Sequence, residues 1–156
     1  MTSQERKHRT STYVLSWAAV VAMAALIFWM SANTGQQINH GLGIISAIKG
    51  ALASAGTALF GHDVDVSPVG HFTEYLVFGA LLFNALRLHL GANRALTVAL
   101  ATVIASLYGV SDELHQIFVP ERSCDPADWA VDTIAAFVGA MIVFAAMNAR
   151  SKAGRE

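Results

Sequence analysis

The sequence predicts an all-α membrane protein: four transmembrane helices, plus an amphipathic interfacial helix between the first and second. Three observations lead there. Of the 156 residues, 54% are hydrophobic and only 13% charged, with a mean hydropathy of +0.48, too apolar for a water-soluble domain of this size. Four runs have the length and character of a bilayer span. Threading them alternately collects Arg6, Lys7, Arg9, Arg87, Arg94, Arg150, Lys152 and Arg155 on one side and leaves only Lys49 and Arg122 on the other. By the positive-inside rule both termini are then cytoplasmic, in a multi-pass protein of the cell (inner) membrane.

The first run, Tyr13 to Ala32, follows the basic stretch Glu5-Arg6-Lys7-His8-Arg9 as a signal peptide would. It is about twenty residues long, enough to span, and lacks a clear A-x-A-like cleavage site, so it reads as a retained anchor. Between Gln36 and Phe60, Ile38, Leu42, Ile45, Ile48, Leu52, Ala55 and Leu59 recur at helical spacing among polar residues, with glycines at 41, 43, 50 and 56. That pattern suits a loosened amphipathic helix lying on the extracytoplasmic membrane surface. The remaining spans are Val69 to Leu90, Ala95 to Tyr108 with a continuation toward Gln116, and Ala127 to Met147. The expected organisation is a cytoplasmic tail over 1–12, a transmembrane domain over 13–148 and a cytoplasmic tail over 149–156.

Apart from Glu5 and Glu156, every Asp and Glu lies between Asp63 and Asp132. The threading sends them toward the extracytoplasmic face, where the second helix begins, the third ends and the fourth begins. On the second helix His71, Glu74, Tyr75 and Phe78 fall at i, i+3, i+4 and i+7 and share one face. On the third, Asp112 shares a face with His115 and Gln116, with Glu113 turned by about 100 degrees. On the fourth, Asp125, Asp128 and Asp132 follow helical spacing, and Asp125 before Pro126 suits an N-cap with proline at the first helical position.

Six carboxylates (Glu74, Asp112, Glu113, Asp125, Asp128, Asp132), with Glu121 nearby, thus face one permanent cation, Arg122, and two histidines, His71 and His115. A charge at the centre of a bilayer costs about 2.5 to 3.5 kcal/mol on insertion scales. Some carboxyls are therefore held protonated, or the histidines are charged, or a cation is bound, or water fills the site. Glu74, Asp112, Glu113, His71 and His115 are candidate acid and base groups. Arg122, Gln116, Tyr75, Ser111, Asp128 and Asp132 are candidate binding groups. A divalent metal is one way to satisfy this set, although no H-E-x-x-H stands in the chain. A purely architectural hydrogen-bonded network is the plainer alternative.

Other chemistry is excluded or weak. With Cys124 as the only cysteine, no intrachain disulfide or multi-cysteine metal site can form. A net charge of -1 and the lack of a basic stripe argue against nucleic acid as a partner. There is no G-x-S-x-G and no glycine-rich phosphate loop, so Ser111 as a nucleophile would rest on His115 alone.

Three motifs, in order, carry a resemblance. H-x-x-E-Y-x-x-x-G runs through His71, Glu74, Tyr75 and Gly79; S-D-E-x-x-Q through Ser111, Asp112, Glu113 and Gln116. P-x-R-x-x-x-x-x-D-x-x-x-D-T runs through Pro120, Arg122, Asp128, Asp132 and Thr133. The chain resembles the VanZ-like family of small polytopic membrane proteins over roughly Val69 to Gly139. Members often carry Asn where this chain has Asp132, and a Lys where it has Ser67-Pro68-Val69-Gly70, so its site is the more anionic. The family takes its name from a protein associated with low-level teicoplanin resistance. The polar site at the extracytoplasmic face suits binding or modifying a cell-envelope lipid or lipid-linked precursor, with Arg122 clamping an anion, and the resemblance adds a link to teicoplanin resistance. A non-enzymatic binder or small transporter, or a structural envelope protein, would suit the same residues.

Overall fold

The computed structural model describes residues 3–33, 67–91, 93–120 and 122–154, with isolated positions between 51 and 61. Among the described residues it contains four helices, each long and apolar enough to cross a membrane: α1 (Ser3–Ser31), α2 (Ser67–Leu90), α3 (Arg94–Gln116) and α4 (Pro126–Ala153). The interfacial helix expected from Gln36 to Phe60 lies, isolated positions aside, outside the described residues.

Two helices are longer than the apolar runs. α1 begins at Ser3, so most of the expected N-terminal tail is helical. α4 continues past Met147 to Ala153 and carries Arg150 and Lys152 in its last turn. There the cations face the partial negative charge of the helix C-terminus, and their stems can lie along apolar surface while the charges reach water. The turn between α2 and α3 needs glycine, since Gly91 has φ +61° and donates its N–H to the Arg87 carbonyl, ending α2 in a left-handed cap. α3 then starts on Asn93, whose side chain accepts from the Leu96 N–H at 3.1 Å.

Helix association in lipid has no hydrophobic drive between helices and relies on close backbone approach and polar contacts. Both occur here. α2 and α4 meet at two glycines: a Cβ on Gly79 would stand 2.1 Å from the Ala136 carbonyl oxygen, and one on Gly139 1.9 Å from that of Leu76. Around this contact the core is built from Phe78, Leu82 and Phe83 of α2, Ala101 and Ala105 of α3, and Ala135 and Ala136 of α4. α1 is tied on by hydroxyls donating to backbone carbonyls, Tyr108 to Ala24 at 2.7 Å and Tyr13 to Leu88 at 2.5 Å. Trp17 Nε1 adds a bond to His89 Nε2 at 3.0 Å. Arg94 bonds Asn148, joining the start of α3 to the end of α4.

The glycine contact makes a direct prediction. Gly79→Ala and Gly139→Ala should each lower the melting temperature in detergent, at a cost of about 1 to 3 kcal/mol from overpacking. Gly70→Ala, with open space around its Cβ, should not lower it. Equal melting of all three variants would refute close backbone packing as the anchor of the bundle.

Candidate functional site

Where α2 and α4 begin and α3 ends, polar side chains are buried together. The face expected from spacing on α2 forms: Tyr75 and Phe78 are fully buried, His71 and Glu74 half-buried, while Phe72 and Thr73 between them are exposed. On α3 Asp112, Glu113 and Gln116 are all buried, so the expected separation of Glu113 onto another face does not remove it from the cluster. The Gln116 amide joins the two acids, with Nε2 3.3 Å from Asp112 Oδ2 and 3.4 Å from Glu113 Oε1. Asp132, one turn above the α2–α4 contact, is wholly buried.

His71 Nδ1 lies 3.3 Å from Asp132 Oδ1. The pair does not make a well-directed hydrogen bond: His71 Nδ1 and both Asp132 oxygens are buried without a hydrogen-bond partner. The same holds for Tyr75 Oη and Asp112 Oδ1. An unsatisfied buried polar group costs about 1 to 3 kcal/mol, more when charged, so a cluster of five such atoms is expensive unless something fills it. Single atoms of His71, Glu113 and Asp132 lie within 4.8 Å of one another, close enough to hold one metal ion.

Glu113 has a second task that local sequence does not reveal. Its Oε2 accepts the backbone N–H of Asp125 at 2.7 Å, twelve residues on, and so fixes the loop leading into α4. Asp125 itself caps α4 as expected, accepting from the Ala127 N–H at 2.8 Å with Pro126 in the first turn. Asp128 follows in that first turn, half-buried, where a carboxylate is favoured by the helix dipole.

Three expected site residues point elsewhere. His115 turns toward α1 and stacks on Phe28, ring centres 4.6 Å apart, with Nε2 buried and unpartnered. Ser111 is exposed and donates to the Tyr108 carbonyl at 2.7 Å. Arg122 makes no ion pair among the described residues: Nη2 donates to the Asn33 carbonyl at 3.4 Å, and Nε is buried without a partner. Asn33 lies two residues past the end of α1 at Ser31, a buried residue beside Asp112. Its apolar run marks α1 only as an anchor; Ser31 and Asn33, closing that run, are the signal of a further role. A further hydroxyl set, missed for the same reason, joins α3 to α4: Trp129 Nε1 donates to Ser106 Oγ at 3.1 Å, and the Thr133 and Ser106 hydroxyls are 2.9 Å apart.

Four spanning helices with a buried cluster of carboxylates, histidine and tyrosine at one end define a multi-pass α-helical membrane protein. The chain belongs to the VanZ/LLP1 family, which it matches over residues 16–147, from within α1 almost to the end of α4. No curated protein and no solved structure matches it.

The α4 cap separates architecture from chemistry. Asp125→Ala should destabilise the protein by about 1 kcal/mol, whereas Asp125→Ser, which keeps an oxygen for the Ala127 N–H, should melt near the wild-type temperature. Identical melting of the two variants would deny Asp125 its capping role.

Proposed function

We propose that the buried cluster is an extracytoplasmic site of a cell (inner) membrane protein with both termini in the cytoplasm. It binds or modifies a cell-envelope lipid or lipid-linked precursor. The observation that carries this reading is the set of buried, unpartnered polar atoms on His71, Tyr75, Asp112 and Asp132, gathered where α2 and α4 begin and α3 ends. A network serving only to fix packing would satisfy its members with one another.

Within this reading the residues divide by geometry. Asp112, with one oxygen held by Gln116 and the other free, is the proton acceptor and donor for hydrolysis or transfer. Arg122 keeps an unpartnered Nε beside the end of α1, two residues from the Ser31 that meets Asp112, and there it clamps a phosphate or carboxylate of the ligand. Gln116 and Glu113 hold the acid in place and join the site to the α3–α4 loop. Membership of a family named for a glycopeptide-resistance protein supports a role in teicoplanin response.

Expression in a teicoplanin-susceptible Gram-positive host tests the reading. Wild-type protein should raise the inhibitory concentration, and Asp112→Asn and Arg122→Gln should each return it to the empty-vector level at equal membrane abundance. Full protection by both variants, or none by the wild type, would contradict it.

A further inference from the structure

We propose that His71 Nδ1 and one carboxylate oxygen each from Glu113 and Asp132 are three ligands of a single divalent transition-metal ion of the zinc class, leaving an open position toward Tyr75. This assignment stands independently of the lipid reading, since it concerns what the protein holds and not what it acts on.

Geometry comes first. Around a tetrahedral ion with bonds of about 2.0 to 2.1 Å, neighbouring ligand atoms are separated by about 3.3 Å. His71 Nδ1 and Asp132 Oδ1 are 3.3 Å apart already, and one ligand atom each of His71, Glu113 and Asp132 lie within 4.8 Å of one another.

The second observation is the state of the His71–Asp132 pair. In an apolar interior a histidine and a carboxylate at this distance would gain most by pointing N–H at oxygen. Neither atom does so, and both are buried without a partner. Two ligands of one ion can meet at this distance without bonding to each other. The charge balance agrees, because Asp112, Glu113 and Asp132 are buried together and Arg122 makes no ion pair with any of them among the described residues. A divalent ion is the compact counter-charge.

The third observation comes from outside the ligand set. Tyr75 is fully buried with its hydroxyl unpartnered. Its ring edge and Asp132 Oδ2 converge on Gly109, 3.6 and 3.5 Å from where a Cβ would sit. A phenol held there without a partner can take the open metal position or bond a water that does. Supporting bonds of the usual kind are present as well: Glu113 accepts from the Asp125 N–H, and Gln116 holds Glu113 and Asp112. His71 keeps 11% of its side-chain surface exposed, which provides a route in. The histidine nitrogen favours zinc-like ions over Mg2+ or Ca2+, and the exposed Cys124 is not in the ligand triangle.

Full-length protein, tag removed and purified in detergent after chelation, is titrated with Zn2+, Co2+ and Mg2+ and assayed for bound metal by elemental analysis. Wild type should retain one equivalent of Zn2+ or Co2+ per chain and no Mg2+, with visible Co2+ absorption typical of low coordination number. Zn2+ should raise its melting temperature. His71→Ala and the near-isosteric Asp132→Asn should lose the metal and the Co2+ bands, and Gln116→Leu should weaken binding by about 10- to 100-fold. His89→Gln, at the opposite end of the bundle, should bind as wild type does. Failure of the wild type to take up Zn2+ or Co2+, or an equivalent retained by both ligand variants, would overturn the assignment whatever the protein does to lipids.

Discussion

Everything else in this bundle depends on how closely α2 and α4 approach. With glycine at 79 and 139 the two backbones touch, each glycine seated against a carbonyl of the other helix. Lipid offers no hydrophobic drive for helices to associate, so such contact, with its van der Waals gain, supplies much of the attraction. It also sets register. Tyr75 is one turn above Gly79 and Asp132 one turn above Ala136, which puts the first turns of α2 level with Asp132. α3 packs against both through Ala101, Ala105 and Gly109, small enough to bring Asp112 and Glu113 alongside. The polar cluster is thus a consequence of where small residues allow the helices to meet.

The same arrangement explains how so many acids are tolerated. Two of the three helix ends at the site are N-termini, and the partial positive charge of the α4 start favours Asp125 at its cap and Asp128 in its first turn. The end of α3 has the opposite polarity, and there Asp112 and Glu113 lie at the wrong end for the dipole. Their compensation is specific: the Asp125 N–H on Glu113, and the Gln116 amide across both. What these bonds leave unsatisfied is Asp112 Oδ1 and the facing atoms of His71, Tyr75 and Asp132. That residue of unmet demand is the strongest physical pointer to a ligand.

Much of this is legible in the sequence alone. Apolar run lengths gave the four spans, and 3.6-residue spacing placed His71, Glu74, Tyr75 and Phe78 on one face, as found. The Asp-Pro pair announced the α4 cap. Gly79 stood in the sequence only as a motif position, because close backbone contact depends on the partner helix. Helix rotation and tertiary contact hid the rest. The turning of His115 to Phe28 and the exposure of Ser111 follow from where α1 and lipid lie around α3. The reach of Glu113 to a backbone N–H twelve residues away has no local signature.

The central claim is that the buried end of the bundle is built around something it binds. An experimental structure in lipid nanodiscs tests it most directly, through the density enclosed by His71, Glu113, Asp132 and Tyr75. The account predicts a discrete feature there in contact with all four side chains. A collapsed space, with His71 and Tyr75 both hydrogen-bonded directly to Asp132 and no enclosed density, would contradict it.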